Sequence, residues 1–317
     1  MLHNYYSVIS RDYIYKCVLL YKSMLRHDKN FRFLIVCLHD EVKDTLEKLR
    51  MKNTELIDIS QIEKYDTELA AIKNSRNTKQ YAWAVKPAAA LYILEHYREV
   101  SHIIWLDGDT AFLSSPEAIF EEWGKSSILL TEEKFTGKYE YLSSIYGYFN
   151  TGFMGFNRDD TAIKSLKYFR KRLLEWNYDK KEQYRWNDQL YVSDWKGRFD
   201  NVGVVKNPGI NLTPFIFNRI LEEEGGVLKT RDRDIYFNDY KIVLFHFYGF
   251  KCFNNKEFEL CYYTDIYHKP EIDIIYVPYM KEALRAIREI AKTNKSRSLK
   301  YDEKYDYIRN HYRLSAS

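Results

Sequence analysis

Asp107 and Asp109 are separated by a single glycine and follow four apolar residues, Ile103-Ile104-Trp105-Leu106. Two acids flanking a residue with no side chain allow the backbone to turn tightly and aim both carboxylates at one point. Converging hard oxygen ligands suit Mg²⁺ or Mn²⁺, ions that keep open positions for substrate phosphates. The plain alternative is a pair of acids that merely ends a strand and caps a turn, since Asp and Gly are ordinary turn residues. Three later stretches carry groups of the same kind: Phe149-Asn150-Thr151-Gly152-Phe153-Met154-Gly155-Phe156-Asn157, then Asn187-Asp188-Gln189, then His246-Phe247-Tyr248-Gly249-Phe250-Lys251. A histidine at the end of an apolar strand is, taken alone, more often a satisfied core residue than a ligand, because metal sites are few per protein. Lys86, ahead of Pro87, can reach an anion, or its stem can simply cover apolar surface while its charge stays in water.

The elements that must position these groups follow from hydrophobic patterning. The run 103–106 reads as a strand buried on both faces that delivers its acids at the carboxyl end, the edge where open α/β sheets bind ligands. Ahead of it, strands over Tyr5–Ile9, Phe31–Leu38 and Glu55–Ile59 alternate with helices over Asp12–His27 and Glu41–Arg50, the mark of a parallel sheet with helices packed on it. No glycine-rich loop follows the first strand, which disfavours a dinucleotide-binding dehydrogenase or a P-loop enzyme. Polar residues 60–80 read as a surface loop over a site. An apolar helix then runs to Tyr97, with Lys86 displaced at a kink or helix start, because proline disfavours helical geometry in the residue before it. Ser114-Ser115-Pro116-Glu117 opens another helix with a capping serine. Ile128–Thr131 is a strand, 132–148 a tyrosine-rich loop, and Asp159–Trp176 a long amphipathic helix. The two glycines of the 149–157 run let another backbone or a ligand approach closely. Asn187 opens an otherwise apolar helix, for which it also serves as a simple cap. Further strands are expected over Phe199–Val204 and Lys241–Phe245, an irregular connector over Tyr262–Ile274, and a basic helix over Met280–Lys292.

The bulk composition is that of a folded globular protein: 317 residues, 45% hydrophobic and 30% charged. Aromatic content is high, with 29 Tyr, 18 Phe and 6 Trp, and such rings suit both a core and a surface for stacking sugars or bases. Cys17, Cys37, Cys252 and Cys261 form no Cys-x-x-Cys pair, which fits a reducing compartment and no zinc site. Neither a signal peptide nor a transmembrane window is visible, so a cytoplasmic location is expected. Net charge is +4, yet residues 281–317 hold ten Lys or Arg against five Asp or Glu, leaving the rest of the chain near −1. Basicity therefore belongs to the tail, and a nucleic-acid groove through the body of the protein is not expected.

Asp-Gly-Asp after a strand, Asn-Thr-Gly-Phe-Met-Gly-Phe-Asn, Asn-Asp-Gln and His-x-x-Gly-x-Lys, in this order, resemble the GT-A fold glycosyltransferases, particularly those of family 8. The resemblance spans about residues 5–251. It implies an α/β chain with a Rossmann-like mixed sheet flanked by helices, a nucleotide-sugar transferase domain over 1–258, and a connector with a basic helical tail over 259–317. It also implies Mn²⁺ or Mg²⁺ held by Asp107, Asp109 and His246, and a donor contacted by Lys86, Asp107, Gly108, Asn150, Gly249 and Lys251. Asp188 and Gln189 match the segment that touches the transferred sugar and are the candidate catalytic residues. The late motif of the family usually carries one more residue before its lysine and then Pro-Trp, where this chain has Lys251-Cys252-Phe253; that departure puts the role of Lys251 in question. The donor implied is a nucleotide sugar, of the uridine diphosphate type usual in the family. The reaction implied is retaining hexosyl transfer to a glycan or lipid-linked acceptor in surface polysaccharide synthesis.

Two rival functions share these motifs: a transferase with a protein acceptor, and a noncatalytic nucleotide- or carbohydrate-binding protein on the same scaffold. The tail has two readings as well, a helix lying on anionic lipid at the inner face of the membrane or a salt-bridged helix packed on the domain.

Overall fold

The apolar run ahead of Asp107 forms a strand in the middle of a seven-stranded sheet. The computed structural model describes residues 1–317 apart from 134, 136, 179–187, 233, 294–300, 305 and 316–317. Its strands, in chain order, begin with β1 (His3–Ile9), β2 (Phe31–Cys37), β3 (Thr54–Asp58) and β4 (His102–Leu106). Then come β5 (Thr110–Phe112), which leaves the sheet, β6 (Ile128–Glu132), β7 (Phe149–Asn157) and β8 (Val202–Val204). The order across the sheet is β3-β2-β1-β4-β7-β6-β8, and β7 runs antiparallel to both of its neighbours while the remaining pairs are parallel. This is the mixed α/β sheet expected.

Every residue of β1 and of β4 is buried, because helices cover both faces. Successive side chains point to opposite faces, so Tyr5, Ile104 and Leu106 join one core and Tyr6, Ile103 and Trp105 the other. The first core is closed by α1 (Ile14–His27), with Cys17, Leu20 and Met24 buried. The shorter helices α2 (Asp40–Leu49), α3 (Ile59–Tyr65) and α4 (Thr67–Ile72) follow. The second core is closed by α5 (Thr78–His96), α6 (Glu117–Trp123) and α7 (Ser143–Tyr146) intervene, and α8 (Asp160–Glu175) packs on α5.

Residues 60–80 are mostly helical, not a loop. The reason is capping: Asp58 with Gln61 and Asn77 with Gln80 form capping boxes at the starts of α3 and α5, and the Asp66 side chain accepts from Leu69 N–H to start α4. Nor does Pro87 start a helix. It lies inside α5 with Lys86 buried beside it, a placement that removes one backbone donor from the helix and is tolerated because packing on both sides holds the segment. The expected strand over Phe199–Val204 is confined to β8, preceded by α9 (Trp195–Arg198). Ser115 Oγ lies 3.5 Å from Glu117 N–H, a weak cap for α6. Asn187, the expected start of a helix, lies outside the described residues, as do residues 294–300 of the expected tail.

Beyond α10 (Pro214–Glu224), β9 (Leu228–Arg231), β10 (Asp234–Phe237) and β11 (Tyr240–Lys241) make a small antiparallel sheet. The expected strand over Lys241–Phe245 is thus divided between β11 and β12 (Leu244–His246), and β12 pairs antiparallel with β5. β13 (Lys251–Cys252), β14 (Glu257–Glu259) and β15 (His311–Arg313) form a last sheet, so the end of the chain returns to the body. Part of the expected irregular connector is helical, with α11 (Lys269–Glu271) running through a π-helical turn into α12 (Val277–Thr293). The apolar face of α12, including Met280, Ala283 and Ile287, is buried in the first core, where the helix packs on α1. Among the described residues no helix is long and apolar enough to cross a membrane. All four cysteines are free and buried.

Candidate active site

β4 ends at Leu106, and the backbone then folds over Asp107-Gly108-Asp109-Thr110, with Thr110 N–H donating to Asp107 C=O at 3.0 Å. Gly108 fits tightly: a Cβ there would meet Ile9 Cδ1 at 3.0 Å and the Tyr13 ring at 3.1 Å. β5 continues from the turn, and its pairing sets His246 opposite Thr110, which brings the imidazole to the acids. His246 Nε2 lies 3.3 Å from Asp109 Oδ1 and 3.6 Å from Asp107 Oδ2. One atom from each of the three side chains lies within 4.8 Å of the others, a set able to hold a metal ion. At Gly152 of β7 the group that approaches closely is the side chain of this histidine, not the backbone or ligand expected, and at Gly155 it is the side chains of Leu129 and Trp123. A Cβ on Gly152 would fall 2.1 Å from His246 Cε1.

The pairing of β6 with β7 shifts register between Leu130 and Thr131, so that Met154 faces Leu130 while Asn150 faces Thr131. Such an irregularity re-aims side chains. Asn150 Oδ1 accepts from Gly152 N–H at 2.8 Å and from Asn211 Nδ2 at 3.1 Å, and Asn150 Nδ2 donates to Glu133. Thr151 Oγ1 donates to Asp188 Oδ2 at 3.0 Å. The same carboxylate oxygen takes Lys86 Nζ at 2.6 Å, and that ammonium also donates to Thr151 C=O at 2.9 Å and lies 3.8 Å from Asp107. Lys86 and Asp188 are both buried, a hydrogen-bonded ion pair beneath the acid turn.

Burial and neighbouring charge act unequally on these groups. Burial raises the pKa of Asp107, against the opposing charges of Lys86 and His246. For Asp109 burial works in the same direction, but the hydrogen bond from His246 and the charge of Lys16, 3.8 Å away, outweigh it and hold the carboxyl below its usual range. Burial disfavours the imidazolium of His246, yet Asp109, Asp107 and Glu133 together raise its pKa. Glu133, fully enclosed, is raised by burial despite hydrogen bonds from Asn150, Thr213 and Tyr248. Two carboxylates and an imidazole crowded this way favour a cation between them.

A cavity of about 600 Å³ opens over the cluster. Asp107, Asp109, Asn150, Asp188, Gln189, His246 and Gly249 all line it, so most of the sequence-derived set converges on one space. Gly249 has φ +75°, and a Cβ there would meet Tyr262 N at 2.8 Å, so the turn after β12 requires glycine. Gly108, in the turn itself, and the buried Lys86 do not line the cavity. Lys251 goes elsewhere, with Nζ 3.7 Å from Asp302 Oδ1. Lys16, Tyr13, Glu133 and Arg309 also meet the cavity or its acids and were not singled out from the sequence; of these only Lys16 left a signal, a lysine next to Cys17 on an apolar helix. A series of rings leads outward from the cluster, His246 to Tyr248 at 5.1 Å, Tyr248 to Phe215 at 6.1 Å and Phe215 to Phe135 at 5.2 Å between centroids.

A mixed sheet that presents two acids and a histidine above the carboxyl end of its central strand is the arrangement of a GT-A glycosyltransferase. The family described as glycosyl transferase family 8 matches residues 5–191, more than half of the chain, and the chain belongs to that family: it is a glycosyltransferase. Two uncharacterized proteins of Bacillus subtilis (strain 168) are similar along nearly their whole length. YfnD is 27% identical over 289 residues, 90% of each chain, and YfnF 25% identical over 291 residues, 87% of this chain and 91% of its own. The fold is similar to that of the galactosyltransferase LgtC, solved in complex with donor and acceptor sugar analogs, with a TM-score of 0.54 at 14% identity over 90% of this chain and 96% of LgtC.

Proposed function

We propose that this glycosyltransferase moves a hexose, with retention of anomeric configuration, from a nucleotide diphosphate sugar of the uridine type to a glycan or lipid-linked acceptor in surface polysaccharide synthesis. The observation that carries the reading is the convergence of Asp107, Asp109 and His246 in one cavity with the Lys86–Asp188 pair. The donor set fits Mn²⁺ or Mg²⁺, since it offers two carboxylates and an imidazole nitrogen from one side. Bound there, a divalent ion would supply positive charge to the phosphates of the donor.

The side chains divide the remaining work. Asp107 and Asp109 present the oxygens, and Gly152 leaves room for His246 to present Nε2. Lys86 and Thr151 hold Asp188 Oδ2 in place, so that Asp188, with Gln189 beside it, offers oxygen to the cation-like anomeric centre. Tyr248, Phe215 and Phe135 offer ring faces to a sugar and keep water away from the reacting bond. Peripheral contact with anionic lipid on the cytoplasmic side is supported by Lys281, Arg285, Arg288 and Lys292, which are exposed along one stripe of α12. With the apolar face of that helix inside the core, the attraction would rest on charge, and sedimentation with anionic vesicles should fall steeply with salt.

The direct test is thermal stability against a panel of nucleoside diphosphates and nucleotide sugars, each with and without Mn²⁺. A ligand at 100 times its dissociation constant stabilises the fold by about 2.7 kcal/mol. A shift that requires the ion supports the reading and names the base, whereas no shift with any donor would remove it. The anomeric configuration of the product, read by NMR, tests retention.

A further inference from the structure

Arg309 reaches the cavity from the far end of the chain. Its backbone is tied down with unusual thoroughness for a terminal segment. The carboxylate of Glu259, fully buried, accepts the N–H groups of Arg309 and Asn310, each at 2.7 Å. The Asn310 side chain accepts from Ile266 N–H at 2.8 Å and donates to the carbonyls of Thr264, at 2.7 Å, and Cys261. That staple also holds the loop that brings Tyr262 and Tyr263 to the cavity next to Gly249. Further back, Asp302 Oδ2 accepts from Tyr15 Oη at 2.6 Å and from Cys252 N–H at 2.8 Å. The C-terminal segment is therefore a built wall of the site.

Charge gives this wall a purpose. The buried lysines are already engaged, Lys86 with Asp188 and Lys16 with Asp109. Lys251 is drawn to Asp302, whose carboxylate is almost fully buried. Arg309 instead pairs with Asp265 at 3.3 Å, and the two side chains are 33% and 55% exposed, a screened pair that costs little to exchange. A guanidinium on a fixed backbone matches a phosphate with two parallel hydrogen bonds.

We propose that Arg309 is a donor-binding residue, exchanging Asp265 for the diphosphate of the nucleotide sugar and bringing to the cavity the charge that Lys251 directs elsewhere. The proposal rests on the donor reading above and names a residue of that same site. Calorimetric titration in Mn²⁺ of the full chain and of Arg309→Gln, with uridine diphosphate, guanosine diphosphate and the corresponding nucleosides, tests it. Loss of a charged hydrogen-bond pair predicts diphosphate binding about ten- to a hundredfold weaker in Arg309→Gln, with nucleoside binding unchanged. Arg309→Lys should recover part of the loss. Equal diphosphate affinity in wild type and Arg309→Gln would overturn the proposal while leaving the donor reading in place. An equal loss for diphosphate and nucleoside would also overturn it, by showing a shape effect. Wild type that binds no diphosphate at all would overturn the donor reading and this proposal together.

Discussion

The Cβ that Gly152 lacks would fall 2.1 Å from Cε1 of His246 and 2.5 Å from its Nδ1. The ring cannot retreat easily, because β12 is paired to β5 and His246 N–H donates to Leu212 C=O at 2.9 Å. Gly152→Ala should therefore move the imidazole off Asp107 and Asp109, abolishing the Mn²⁺-dependent shift in melting temperature. An unaltered metal titration in that variant would separate His246 from the ion.

Asp109 stands between Lys16 and His246. Asp109→Asn keeps the shape and removes the charge, so transfer should fall by about a hundredfold or more, given that a metal contributes several kcal/mol of charge stabilisation. Far-UV circular dichroism should be unchanged. Wild-type rates in the purified variant would show that the acid pair holds no ion.

Lys86→Met leaves the carboxylate of Asp188 buried without its cation, a loss of about 3–5 kcal/mol. Adding Asp188→Asn removes the stranded charge and should restore much of that stability without restoring transfer. Chemical denaturation of the two single variants and the double variant measures the coupling. A double variant whose loss equals the sum of the two single losses would mean that the pair is not coupled.

Acid stability should report a different carboxylate. Burial alone would raise the pKa of Asp28, but hydrogen bonds from His3, Asn30 N–H and Tyr5 outweigh it and lower the value. A depressed carboxyl contributes stability that is present above its unfolded pKa of about 3.9 and is lost as pH falls through the folded value. Asp28→Asn should be less stable than wild type at neutral pH and should lose less on going below about pH 4. Parallel stability curves would exclude Asp28 from the acid transition.

What could be read from the sequence was whatever one segment decides alone. Four apolar residues before Asp107 sufficed for a buried strand, and its acids had to emerge at the sheet edge. The helices over 59–72 were hidden by polar composition, although Asp58 with Gln61 and Asn77 with Gln80 stood in the sequence as capping boxes. The glycines of β7 signalled a close approach, but only the β5–β12 pairing reveals that at Gly152 the side chain of His246 makes it. Glu133 sits in a tyrosine-rich stretch with nothing to mark it as buried. The spacing after Gly249 raised doubt about Lys251, yet the attraction of Asp302 and the arrival of Arg309 depend on contacts between distant parts of the chain.

The four buried thiols divide into two regional sensors. Burial raises Cys17 well above its ordinary value and pushes Cys37, Cys252 and Cys261 up to about 12, so alkylating reagents meet no reactive thiolate until the surrounding structure opens. Cys17 and Cys37 lie in α1 and β2, whereas Cys252 and Cys261 border the wall that carries Arg309. Pulse labelling read by mass spectrometry can therefore time the loosening of that wall against the opening of the sheet, with no engineered probe in the molecule.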